Sequence, residues 1–209
     1  MEIIFVLILA IGLRLIGINQ SLWLDEAISA NVAQMPIGEI IKNFSSHDFH
    51  PPFYYLFLYV WQNIFGNNVA ALRLSSILCS LITIYFVYLI GKKIKDKKIG
   101  LLAALILTLN PLFVYFSQEL RMYSMATMWL TIGFYFFIKI KNKKYNLKDL
   151  ILFNLMMALA FGTFYGSIFL IASFAIYFLI KKEWKLFFLT NIGTVISILI
   201  LTPLLLTQL

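Results

Sequence analysis

Seven apolar segments punctuate the chain: Ile3–Ile18, Val69–Gly91, Ile99–Phe116, Met122–Ile140, Leu147–Phe164, Gly166–Ile180 and Trp184–Leu206. A spanning helix needs roughly 17–25 mostly apolar residues, and the seven are read as candidate transmembrane helices, two of them, Ile3–Ile18 and Gly166–Ile180, short. One long polar interval, Asn19–Asn68, separates the first from the second. It holds a further apolar piece, Pro51–Phe65. That piece is short for a span, opens on two prolines and carries Gln62 and Asn63 near its end. These features predict a helix lying at the interface, with Tyr54, Tyr55, Tyr59 and Trp61 at headgroup depth. A second helix, near Ala27–Gln34, is expected earlier in the interval, with Asp25 as its N-cap and Glu26 in its first turn.

Charge orients this pattern. Lys92, Lys93, Lys95, Lys97 and Lys98 form one cluster. Lys139, Lys141, Lys143, Lys144 and Lys148 form a second, and Lys181, Lys182 and Lys185 a third. Two spans separate successive clusters, so all three share one side, which the positive-inside rule makes cytoplasmic. With Pro51–Phe65 not spanning, the N-terminus is cytoplasmic and Asn19–Asn68 is outside. If Pro51–Phe65 did span, Asp25 would be cytoplasmic. All three arginines, Arg14, Arg73 and Arg121, then fall at outer ends of spans. Lysine serves as topogenic charge, whereas arginine forks onto carboxylate or phosphate.

Composition agrees with the membrane reading. The 209 residues are 62% hydrophobic, with net charge +8 and mean hydropathy +0.90, where soluble domains are about 45–50% apolar. The lone cysteine, Cys79, excludes an internal disulfide. The first apolar stretch lacks a basic n-region and a cleavage site, and reads as a retained helix. The fold class is therefore an all-α polytopic membrane protein, a single domain over residues 1–209. Nothing suggests nucleic-acid binding.

Four outer pieces carry candidate chemistry. Asp25 and Glu26 stand side by side behind Trp23, and adjacent carboxylates at a membrane surface are costly unless solvated or used. His47-Asp48-Phe49-His50 precedes Pro51-Pro52. Asp25, His47 and His50 are compatible with a divalent metal, but the spacing demands none. No cofactor is required. Ser117-Gln118-Glu119-Leu120-Arg121-Met122-Tyr123 groups Gln118, Glu119, Arg121 and Tyr123 at a helix mouth. Glu119 and Arg121 are too close in sequence to pair along a helix face, so each is expected to find a different partner. Arg73 opens the second span, and Arg14 lies about a turn inside the first. The bland alternatives are a capped interfacial helix, a solvated loop and snorkelling arginines.

Together these residues resemble a known family. Trp23-Leu24-Asp25-Glu26-Ala27, His50-Pro51-Pro52-Phe53-Tyr54-Tyr55, Phe65-Gly66-Asn67 with Ala71-Leu72-Arg73-Leu74, and Tyr115 through Tyr123 look like glycosyltransferase family 39. This is the protein-mannosyltransferase-like and aminoarabinose-transferase-like branch of the GT-C superfamily. The resemblance covers residues 1 to about 140 in order; the later spans match as generic hydrophobic helices. It implies a GT-C-like bundle of about seven spans with juxtamembrane helices in the first outer loop. It also implies inverting transfer of a sugar from a polyprenyl-phosphate donor to a protein, lipid or glycan acceptor on the extracytoplasmic face. By motif, Asp25 is the catalytic or acceptor-orienting carboxylate, with Glu26 beside it, and Glu119 helps shape the site. His50 stands where some relatives carry an acid. The family's usual C-terminal half is not expected in this chain. Transfer from a lipid phosphate independently calls for a base, assigned to Asp25, and positive charge for the departing phosphate, assigned to Arg73, Arg121 and Arg14. A flippase or carrier subunit, or a membrane scaffold, is the alternative. The former predicts polar residues along the spans, the latter tolerance of change at Asp25 and Glu119. The location expected is a plasma membrane, with few cysteines and a compact chain pointing to a prokaryote.

Overall fold

The computed structural model describes residues 2–41, 49–142 and 145–208. His47 and Asp48 lie outside them, as do Lys143 and Lys144. The described chain is 83% helical and without strands. The order is α1 (Glu2–Leu15), α2 (Leu24–Val32), α3 (Ile37–Glu39), α4 (Phe53–Phe65), α5 (Val69–Ile94), α6 (Lys97–Leu109) and α7 (Pro111–Gln118), then α8 (Tyr123–Lys141), α9 (Leu147–Thr163), α10 (Ile168–Ile180) and α11 (Trp184–Gln208). It is an all-α membrane protein.

Each expected span is helical, but fewer cross a membrane unaided. Among the described residues, α5 and α11 are long and apolar enough to do so, and α6 with α7 forms a third candidate bent by 64°. At 26 residues α5 is about 39 Å long, beyond the ~30 Å hydrocarbon core. The other expected spans are the shorter α1, α9 and α10, and α8, whose tyrosines and lysines lower its hydropathy.

The break in Ile99–Phe116 has a local cause. Pro111 lacks an N–H and disfavours helical backbone at Asn110, which sits at ψ 118°. Asn110 then caps the new helix by accepting from the Phe113 N–H at 2.9 Å.

The helix α5 is the spine of the fold. It packs on α1, α4, α6, α7 and α8, while α8 packs on α9, and α9 on α11. Its contact with α6 needs Gly100, where a Cβ would lie 2.5 Å from the Tyr88 carbonyl oxygen. The α9–α11 contact is clasped by Asn154. Its amide donates to the Leu189 carbonyl at 2.9 Å and accepts the Gly193 N–H at 2.7 Å.

The bundle has two chemically different ends. The α5–α6, α8–α9 and α10–α11 turns gather the lysines. There Glu2 pairs with Lys97 at 3.0 Å, and Lys139 pairs with Asp149. The opposite end carries α2, α4, the start of α5 and the α7–α8 junction. A core of Val32, Ile40, Leu58, Leu72, Leu120 and Met122 lies beneath them.

The interfacial helix α4 departs from expectation in one respect. Tyr54 and Tyr55 are not headgroup anchors: they are 2% and 1% exposed, inside that core. Val60, Ile64 and Phe65 form its outward face instead. The Trp61 indole donates to the Ala71 carbonyl at 2.8 Å, and Gln62 reaches the Ala33 carbonyl.

Candidate active site

The site begins with the start of α2. The helix opens two residues earlier than the sequence suggests, with Trp23 at the N-cap rather than Asp25. Glu26 reaches back to accept the Trp23 N–H at 3.3 Å, satisfying one orphan donor of the first turn. Asp25 and Glu26, about 100° apart on the helix, then face different partners.

Glu26 is buried, and both its oxygens are filled. Oε1 accepts from Arg73 Nε at 3.0 Å and from the Leu120 N–H at 2.8 Å. Oε2 accepts from Arg73 Nη2 at 2.6 Å and from Trp23. An ionised carboxylate offers about four acceptor positions, and here all are used. Glu26 therefore ties α2 to α5 and to the α7–α8 junction at once.

Arg73, expected at a donor phosphate, is equally committed within the protein. Beyond its two bonds to Glu26, Nη1 donates to the Ile18 and Gln20 carbonyls at 3.0 and 2.8 Å, and Nη2 to Ser21 at 3.4 Å. All five guanidinium donors are spent inside the protein. Arg73 thereby shapes the α1–α2 connection.

Arg14 is also not at the surface of the site. It is wholly buried, with Nη1 on the Ala10 carbonyl at 3.1 Å and its guanidinium 5.3 Å from the Phe113 ring centroid. Gln118 closes the end of α1 by donating to the Arg14 and Ile16 carbonyls at 3.1 and 2.7 Å.

Asp25 and Arg121 keep unsatisfied polar capacity: Asp25 is partly exposed, and Arg121 is buried with a donor to spare. The Asp25 side chain is 36% exposed, and its Oδ2 lies 3.5 Å from Arg121 Nη2. Arg121 Nε has no hydrogen-bond partner, while the guanidinium lies 6.0 Å from the Tyr123 ring centroid. Burial works against the Arg121 charge, yet Tyr55, Tyr123 and Asp25 outweigh it and hold the guanidinium above its ordinary value. Tyr123 continues into an aromatic wall: it meets Phe164 edge-on at 5.9 Å, and the His50 ring stacks on Phe164 at 6.4 Å.

Glu119 points elsewhere, into a cleft of about 300 Å³ lined by Gln20, Trp23, Glu26, Arg73, Tyr115 and Gln118 among others. Burial raises its carboxyl above the usual carboxylate range, with the Glu26 charge adding and Tyr115, Arg121 and Trp23 pulling the other way. Among the described residues, no group of three or more acidic, histidine or cysteine side chains is placed to hold a metal. His47, one of the residues named for that role, is outside them.

The saturation of Glu26 and Arg73, and the Asn154 clasp, are absent from the sequence reading. The only hint of the first was two acids where a cap needs one.

The profile of the dolichyl-phosphate-mannose-protein mannosyltransferase family matches residues 49–207. That is well over half the chain, and the protein belongs to this glycosyltransferase family. No curated protein and no solved structure matches it. The match takes in the later helices, which the sequence reading treated as generic, and it begins after Asp25 and Glu26. Those two join the matched region through Arg73, Leu120 and Arg121.

Proposed function

We propose that the protein transfers a sugar, with inversion, from a polyprenyl-phosphate carrier to a hydroxyl acceptor on the extracytoplasmic face. The observation that carries this reading is the division of labour between two adjacent acids. Glu26 is consumed by structure, while Asp25 is about a third open to solvent and faces a cation with a spare donor. The family's description supports mannose as the sugar and a protein hydroxyl as the acceptor.

Asp25 takes the proton from the attacking hydroxyl as its oxygen bonds to the anomeric carbon. The anomeric bond to phosphate breaks on the opposite face, and the departing polyprenyl phosphate carries the electron pair. Arg121 neutralises that charge as it develops. The two groups stand 3.5 Å apart, so donor phosphate competes with Asp25 for Arg121 and, on binding, releases the Asp25 carboxylate. Glu26 and Arg73 are positioning residues. An apolar groove of about 510 Å³ beside Pro52, Leu56, Ile200, Leu201, Pro203 and Leu204 suits an isoprenoid chain at the same end of the bundle. The lysine turns then lie on the cytoplasmic side.

The test is transfer from polyprenyl-phosphate [³H]mannose to a serine/threonine peptide by purified protein in proteoliposomes. Asp25→Asn keeps the shape and removes the base. Loss of at least a hundredfold in turnover, with unchanged melting, is expected from removing a general base, which contributes about 10²–10⁴. Turnover within a fewfold of the parent removes Asp25 from the role.

A further inference from the structure

The cleft around Glu119 does not include Asp25 or Arg121 among its lining residues. Glu26 and Arg73 line it, and Glu26 is next to Asp25 on α2. The catalytic assignment makes no use of this cleft, yet it has the anatomy of a ligand site. Ligand pockets are concave, with a few convergent polar groups, and start at about 300 Å³.

Two exposed aromatics stand at its mouth. Trp23 is 48% exposed and Tyr115 is 55% exposed. Each offers a flat apolar face with a polar tip, the residue type suited to a ligand that is apolar on one face and wet at its edge. The Glu119 residue is 6% exposed; the Tyr115 and Trp23 side chains are hydrogen-bonding neighbours of its carboxyl, and Oε2 has no well-formed hydrogen bond. A buried polar atom left unpaired costs free energy that a ligand can recover. Gln20 and Gln118 add amide groups to the lining.

Charge narrows the ligand. The one arginine in the lining is Arg73, and none of its donors is free. Glu26 and Glu119 disfavour an anion, so a phosphate or carboxylate has nothing to bind. The four acceptor positions of Glu26 are already filled, which leaves Glu119 as the carboxyl in the lining with an oxygen open to a ligand hydroxyl and no second one beside it to hold a cation. What fits is neutral, rich in hydroxyls and flat on one face.

We infer that this cleft is a second sugar site, in which a neutral pyranose stacks on Trp23 and Tyr115 and hydrogen-bonds to Glu119. It does not rest on the role given to Asp25. The sugar arrives either on a soluble or protein-linked glycan or as the headgroup of a glycolipid. Ile16 and Leu24, next in sequence to the lining residues Gly17 and Trp23, are exposed and apolar, which suits a cleft beside lipid.

Ligand-observed saturation-transfer NMR on the full chain in nanodiscs tests this, with methyl α-mannoside as the soluble probe and an octyl mannoside as the lipid-borne one. Trp23→Leu and Tyr115→Leu alter exposed side chains and are expected to fold. Glu119→Leu is added with its melting temperature measured. Saturable binding, weakened at least tenfold by Trp23→Leu and Tyr115→Leu and retained in Asp25→Asn, is the expected result. Binding of the octyl probe alone, with the same variant dependence, assigns the site to glycolipid; binding of both assigns it to free glycan. Absence of saturable binding by either probe overturns the inference. So does binding that ignores Trp23 and Tyr115 but disappears in Asp25→Asn, which would leave a single site at Asp25. Binding is read independently of turnover, so a failed transfer assay leaves this result standing.

Discussion

Replacing Glu26 by Gln is the sharpest perturbation of the framework. The change preserves size and alters half of one carboxylate. Oε1 can be kept as the amide oxygen, accepting from Arg73 Nε and Leu120. The other position then becomes an NH₂ facing Arg73 Nη2 at 2.6 Å and the Trp23 N–H at 3.3 Å, donor against donor. The guanidinium, 6% exposed as a residue, is left buried without its counter-charge. Breaking a buried pair by removing one partner costs about 3–5 kcal/mol. For a chain of this size each kcal/mol moves the melting temperature by about 2–4 °C, so a drop on the order of 10 °C is expected. The assay is thermal unfolding in detergent, run as a double-mutant cycle with Arg73→Met. Removing both charges also frees the Ile18, Gln20 and Ser21 carbonyls, so Glu26→Gln/Arg73→Met recovers only part of the loss. The cycle still returns a coupling of about 1–3 kcal/mol, within the range found for contacting residues. A Glu26→Gln protein melting within about 2 °C of the parent, or a coupling near zero, would refute the reasoning.

Three further outcomes follow from the same geometry. Glu119 sits above its unfolded value, so its contribution to stability is full below the ordinary carboxylate value of 4.5 and is lost as pH rises through the higher folded value. Glu119→Gln therefore flattens the fall in melting temperature across that window, and an unchanged pH profile counts against a buried carboxyl there. Arg121→Lys replaces a fork by a point charge and should raise the KM for polyprenyl-phosphate donor with little change in melting; equal donor dependence removes phosphate contact from Arg121. Gly100→Ala drives a methyl to within 2.5 Å of a backbone oxygen and should destabilise by about 1–3 kcal/mol in chemical unfolding, where a neutral result would mean that α5 and α6 separate freely.

The long elements were legible because their signal is one-dimensional. A continuous apolar run specifies α5 and α11 wherever they end up, and the lysine clusters mark their ends. Pro111 carries its own explanation for the bent pair. The site was legible as a set of residue types and not as an arrangement. Asp25 and Glu26 look alike in a sequence; a turn of about 100° on α2 sends one to Arg121 and the other into the core. Glu26 meets Arg73 across 47 residues, and nothing local to either announces the other. Arg73, Arg14 and Arg121 likewise share a chemistry and a predicted depth. Their availability depends on which carbonyls already surround them, which is a property of packing. Tyr54 and Tyr55 follow the same logic: aromatic residues near an interface suit headgroups and cores equally, and the neighbours decide.

An outer-face transferase site requires the acidic pair and the Arg121 loop to share the outer face of the membrane, opposite the lysine turns. The most direct measurement is labelling of single cysteines by a membrane-impermeant maleimide in intact cells, in a Cys79→Ser background. Asp25→Cys should react from outside, and Lys98→Cys should react only after the cells are opened. Protection at position 25 until opening, with labelling at position 98 from outside, would contradict the orientation and with it an outer-face transferase site.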